Sequence, residues 1–212
     1  MEYRAICGSR SYGLETENSD YDVILSSEAE AELPYKHAHN IKMTEDKFLE
    51  KLLLLDNDAY YLQYYFPNEI LDNSETTKYI LENRESIIRA NLDRIYSAYM
   101  KKANGLSTDL ELWWKQFPKR AVYSCLFYDT VHRFATRDIS FAEAFRPEED
   151  LRQWLLAVRR REIPKEEILN RNAELRKKAE SVAGFYSGVE DGAVLQRACG
   201  DLNELLGAAV SI

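Results

Sequence analysis

The sequence predicts an α+β chain: a small mixed β-sheet backed by helices, followed by an all-helical C-terminal region packed on it. Three observations carry that expectation. Short apolar runs bounded by turn residues are concentrated at the front (Tyr3 to Cys7, Val23 to Leu25, His39 to Met43), as short strands require. Beyond Ile70 the apolar residues recur at helical spacing almost throughout. The charge divides at the same place, because residues 1–70 hold 6 Lys and Arg against 14 Asp and Glu, and the rest hold 22 against 22. The expected domains are a sheet-bearing core over 1–70 and a helical region over 71–212.

The first strand ends at the step Cys7-Gly8-Ser9. Glycine there lets the backbone approach a ligand, and Ser9 opens a short helical turn whose N–H groups and hydroxyl suit an anion. The second strand is preceded by Ser19 and carries Asp20 and Asp22 at alternate positions, which puts both carboxylates on one side. Paired carboxylates are hard oxygen ligands for magnesium. After a loop with Glu28, Glu30 and Glu32, the third strand is followed by Thr44, an N-cap with Glu45 and Asp46 in the first turn. That helix, Glu45 to Leu55, places Phe48, Leu49, Leu52 and Leu53 against the sheet. Asp58 caps an aromatic helix through Phe66 that Pro67 ends, its tyrosines read as core and rim.

In the helical region we expect helices over Ser74 to Asn83 and over Ser86 to Lys102, the second stopping near Asn104-Gly105. A polar loop leads to Trp113 and Trp114. Pro118 then suits the first position of a helix to about Phe134, with Val122, Cys125, Leu126 and Val131 in the core. Further helices open at Pro147, with a stripe of Leu151, Trp154, Leu155 and Val158, and at Pro164, reaching about Val182. Gly184 and Gly188 mark a flexible connection before a last helix, Val194 to Ala208.

Composition narrows the function classes. Apolar residues are 45%, charged residues 30% and the net charge is −8, the balance of a soluble globular protein and a poor one for general nucleic-acid binding. Two local basic groups remain, Lys115 with Lys119 and Arg120, and Arg159-Arg160-Arg161; taken alone, each reads as a solvated helix face. No run is long enough to span a membrane and the start carries no secretory pattern, so the expected location is the cytoplasm, with no membrane partner. Cys7, Cys125 and Cys199 lie in apolar surroundings without metal-ligand spacing and are expected as buried thiols.

Gly8-Ser9, ten intervening residues and Asp20-Tyr21-Asp22 together resemble the signature of the DNA polymerase beta superfamily of nucleotidyltransferases. Phe117-Pro118-Lys119-Arg120-Ala121, the run Leu155 to Arg160 and Pro164-Lys165-Glu166-Glu167 narrow the likeness to the predicted nucleotidyltransferases of bacterial and phage RNA-repair pathways. The likeness runs from about residue 4 to about 182. It implies a nucleotidyltransferase core that moves a nucleoside monophosphate from an NTP to a hydroxyl of RNA or protein, with pyrophosphate leaving. Gly8 and Ser9 would hold the triphosphate, with Arg10 and Lys119 as further nucleotide-binding candidates. Asp20 and Asp22 would be the catalytic metal ligands, for Mg2+ or Mn2+. The family pattern also asks for a third carboxylate on the third strand, where this chain has His39-Asn40-Ile41-Lys42-Met43. Asn40 is expected to face Asp20 and Asp22 as an oxygen donor, and His39 is the alternative base. Tyr123 and Leu126 stand where the pattern has a polar pair. The second class of function is a degenerate relative that binds nucleotide, RNA or a protein without turnover.

Overall fold

The apolar runs of the front third form strands. The structure, a computed structural model described over residues 3–25, 38–42, 48, 59–71, 74–108, 117–187 and 192–206, is α+β and mostly helical. Strands β1 (Arg4–Cys7), β2 (Tyr21–Leu25), β3 (Ala38–Lys42) and β4 (Glu69–Ile70) make a sheet in the order β3-β2-β1-β4. β1 runs antiparallel to β2 and β4, whereas β2 and β3 are parallel, so the sheet is mixed. β4 was not expected, because two residues carry no periodicity of their own. It is held by flanking bonds from the Asn68 amide to the Ile6 carbonyl (2.8 Å) and from the Leu71 amide to the Arg4 carbonyl (2.9 Å).

Ala5, Ile6 and Cys7 are consecutive and fully buried, as are Val23 and Ile24, so the two central strands are covered on both faces. Tyr3 packs on Phe48 with ring centroids 4.8 Å apart, and its hydroxyl donates to the Tyr64 carbonyl. Of the helix expected over Glu45 to Leu55 only Phe48 is among the described residues, and it is helical and buried. The expected aromatic helix is a 3-10 helix, Ala59–Tyr64, with Leu62, Tyr64, Tyr65 and Phe66 in the core.

The helices are α1 (Glu75–Arg89), α2 (Leu92–Thr108), α3 (Phe117–Thr136), α4 (Phe141–Phe145), α5 (Glu149–Arg159), α6 (Lys165–Ser181), α7 (Ala183–Tyr186) and α8 (Gly192–Leu206). Ser74 caps α1 as a side-chain acceptor for the Thr77 amide. The expected break between Asn83 and Ser86 is absent: Ser86 Oγ donates to the Asn83 carbonyl within a continuous helix whose Ile80, Ile87 and Ile88 are buried. The chain breaks instead at Ala90-Asn91, where Asn91 Nδ2 bonds the Ile87 carbonyl at 3.1 Å. Gly105 lies inside α2 and does not stop it. α4 escaped the sequence reading although a reciprocal capping box, Ser140 with Glu143, opens it. Gly184 is helical in α7, not a flexible link, because buried Tyr186 donates to the Val131 carbonyl at 2.6 Å. Gly188 lies outside the described residues. Val122, Cys125, Leu126 and Val131 are buried as expected, as are Leu151, Leu155 and Val158.

The chain forms two compact units. The first contains residues 3–25, 38–42, 48, 60–71, 74–91 and 192–206, and the second 59, 92–108 and 117–187. The expected boundary at residue 70 is therefore corrected. α1 packs on α8 within the sheet-bearing unit, with the Tyr79 hydroxyl donating to Asp201 Oδ2 at 2.7 Å and Leu195, Ala198 and Leu202 buried. In the second unit α3 is the central helix, buried continuously over 121–128 and packed on α2, α5 and α6. Asn172 of α6 donates to Ser124 Oγ (2.8 Å) and accepts from Ser107 Oγ (3.0 Å), so polar groups inside this bundle are bonded to one another. All three cysteines are free and buried. Among the described residues no helix is long and apolar enough to cross a membrane.

Candidate functional site

β1 delivers the chain into a 3-10 turn, Gly8–Arg10, and two features of the backbone fix that turn. Gly8 adopts φ +71°, in the left-handed region that other residues enter only with strain. The Ser11 amide then donates to the Gly8 carbonyl (3.2 Å) and the Leu14 amide to the Ser9 carbonyl (2.9 Å). The antiparallel register sets Asp22 opposite Cys7, the residue just before the turn. A Cβ on Gly8 would stand 2.0 Å from Asp22 Oδ2, so the carboxylate occupies the space that a side chain at position 8 would fill. Gly8, Ser9 and Asp22 are thus one local structure.

The loop before β2 is held from within. Ser19 Oγ accepts from the Thr16 amide (2.8 Å) and the Ser19 amide donates to the Thr16 carbonyl (2.9 Å). Arg10 crosses from the 3-10 turn to this loop, donating from Nη2 to the Ser19 carbonyl (3.2 Å) and lying over the Tyr21 ring at 3.8 Å from its centroid. Its guanidinium therefore braces the peptide that precedes Asp20. Asp20 is exposed and Asp22 half-buried, and extended alternation sets both on the side of the Gly8 turn. Ser9 is 9% exposed, and its hydroxyl bonds no described residue.

Gln63 is the site residue that sequence reasoning missed. Its Oε1 accepts the Gly8 amide at 2.6 Å, and its own carbonyl accepts from Cys7 Sγ at 3.7 Å. The signal available was a single polar residue within Tyr60-Tyr61-Leu62-Gln63-Tyr64-Tyr65-Phe66, where a side chain that is 6% exposed needs a partner. Gly8 thus enters the site with its N–H already bonded, and an incoming phosphate would compete with a carboxamide. Cys7 is no nucleophile: burial pushes its thiol well up, the nearby Asp22 adds to this and the Ser11 hydrogen bond only partly opposes it.

On the third strand the parallel register pairs Asp22 with His39 and Val23 with Asn40. Position 39, not position 40, is therefore level with Asp22, which corrects the expectation for Asn40. The cause is the start of β3 at Ala38 opposite Tyr21, one residue off the register that would have aligned Asn40 with the acid. Lys119 is exposed on α3 and belongs to the other compact unit from Gly8, Ser9, Arg10, Asp20, Asp22, His39 and Asn40. Tyr123 and Leu126 are buried in the same helix.

A divalent cation finds part of a shell here. Among the described residues no group of three or more His, Cys, Asp and Glu side chains converges. Two carboxylates suit a magnesium ion that arrives on phosphates and keeps waters, the usual manner of its binding in phosphoryl-transfer sites. The donors of Asp20 and Asp22 fit that role. No protein-family model, curated protein or solved structure matches the chain.

Proposed function

We propose that the chain is a metal-dependent nucleotidyltransferase that moves a nucleoside monophosphate from an NTP to a hydroxyl of RNA or protein. The observation that carries this reading is the Asp22 carboxylate seated over Gly8, beside Ser9 and two residues from Asp20. In the proposed reaction the acceptor oxygen bonds the α-phosphorus, the bond to the bridging oxygen breaks, pyrophosphate leaves, and the acceptor proton passes to a base. Asp20 and Asp22 would hold Mg2+ or Mn2+, and the ion, when bound, would supply positive charge to offset that developing on the transferring phosphate. His39, level with Asp22, is the residue assigned as base. The test is incubation with each labelled NTP and magnesium, against tRNA, short RNAs and cell extract. Transfer that His39→Ala lowers about a hundredfold supports the assignment. Transfer that is indifferent to His39 removes it from the mechanism.

Ser9→Ala is expected to weaken NTP more than NMP, by about 1 to 2 kcal/mol, because the hydroxyl is assigned to the phosphate tail. Titrations of both nucleotides check this. An equal loss for the two would move Ser9 off the triphosphate.

A second reading is a nucleotide-binding relative without turnover. Two observations favour it: β3 carries no acid, and Gln63 already occupies the Gly8 amide. NTP binding with no transfer to RNA, protein or water would select it.

A further inference from the structure

The hydrogen bond that fixes the Gly8 turn uses only half of the side chain that makes it. A backbone amide can only donate, so the atom that meets the Gly8 N–H at 2.6 Å is the carbonyl oxygen of the Gln63 carboxamide, and the NH2 group is on the other arm. Covalent geometry then keeps Nε2 within about 5 Å of the Gly8 nitrogen. Gln63 is 6% exposed, and its Nε2 donates to no described residue. Two donor hydrogens thus stand beside the turn on a buried side chain, an arrangement that costs stability until an acceptor reaches them.

The carboxamide is also held from behind. The Gln63 carbonyl accepts from Cys7 Sγ (3.7 Å) and from the Phe66 amide (3.3 Å), and the Tyr3 hydroxyl bonds the next carbonyl, that of Tyr64. Leu62, Tyr64 and Tyr65 around it are buried. The 3-10 helix Ala59–Tyr64 is therefore tied to the end of β1, and turning the carboxamide over would break the Gly8 bond. The turn itself asks only for an acceptor. Glutamate would supply one with negative charge and no donor, and leucine would supply neither, so the NH2 half of glutamine is what the turn leaves unexplained.

We infer, on the nucleotidyltransferase reading, that Gln63 is a substrate contact: Nε2 donates to a non-bridging oxygen of the NTP phosphate tail while Oε1 keeps the Gly8 amide. A phosphate then has no need to displace the carboxamide, which returns through Nε2 the donor that it takes from Gly8. The test follows the Gln63 side-chain NH2 protons by NMR in 15N-labelled protein, titrated with pyrophosphate or each NTP in Mg2+, with calorimetry on the parent and Q63E. In the parent the NH2 pair should shift saturably, with the calorimetric Kd. Q63E should keep Tm to within about 3 °C, because a carboxylate also accepts the Gly8 amide, yet bind NTP and pyrophosphate about tenfold more weakly or worse. NMP should be weakened less. Binding that leaves the Gln63 pair unmoved, or a Q63E protein that binds as tightly as the parent, would overturn the contact and leave the nucleotidyltransferase reading standing. A parent that binds neither NTP nor pyrophosphate would overturn both. Should Q63E fail to fold, the NH2 shift in the parent still decides.

Discussion

Gly8→Ala is expected to damage both the fold and the site, although it adds one methyl group. The φ of +71° alone makes an alanine there unfavourable by about 1 kcal/mol, and the new Cβ would meet Asp22 Oδ2 at 2.0 Å. Turning the carboxylate aside does not clear the clash, since Asp22 Cγ and Cβ would also lie 2.8 and 3.0 Å from the new Cβ and the strand that carries them is paired to β1. We expect a loss of about 2 to 4 kcal/mol, which for a chain of this length lowers Tm by roughly 4 to 16 °C, together with loss of nucleotide binding. Thermal denaturation checks the first and nucleotide titration the second. A double-mutant cycle identifies the cause: adding Asp22→Gly to Gly8→Ala should recover much of the stability and none of the binding. A Gly8→Ala protein as stable as the parent would mean that Asp22 is not held over the turn.

The paired change Asp20→Asn with Asp22→Asn is expected to have the opposite profile. Asp20 is exposed and Asp22 half-buried, so the fold should survive with little change in Tm. Nucleotide transfer should fall by about a thousandfold or more, because the ligands assigned to the metal are gone. In the parent chain an NTP at a hundred times its Kd should stabilise the protein by about 2.7 kcal/mol with Mg2+ or Mn2+, and much less with EDTA. The variant should lose that metal-dependent part. Equal stabilisation with and without metal in the parent would sink the placement of the ion, and collapse of the variant would make the acids structural.

What was legible in the sequence is what local periodicity records. The strands at Arg4–Cys7 and Tyr21–Leu25, the Gly8 turn and the core face of α3 all follow from runs and spacings within a few residues. The failures lie where distant residues decide. Asn83 and Ser86 look like a stop, yet helix α1 continues because Ile80 and Ile87 bury one continuous face. The register of β3 against β2 is a relation between two strands separated by an acidic stretch of sequence, so a one-residue difference exchanged Asn40 for His39 opposite Asp22. Gln63 lies 55 residues from the amide it holds, and no local pattern encodes such a bond.

The pairing of α1 with α8 has a consequence for the order in which the protein is made. The sheet-bearing unit is interrupted after Asn91 and resumes only near the end of the chain, with the whole second unit between its two parts. On the ribosome the strands and α1 emerge well before α8, and Tyr79 must wait some 120 residues for Asp201. At about 5 to 20 residues per second that interval is about 6 to 24 seconds, long compared with helix and hairpin formation. During it the residues of the second unit, 59, 92–108 and 117–187, are already synthesised and have time to fold, while the side of α1 that packs on α8 still waits for its partner. Synthesis of α8 therefore closes the first unit, and a translation arrest before residue 192 should leave a nascent chain with a folded helical bundle and an incomplete sheet unit.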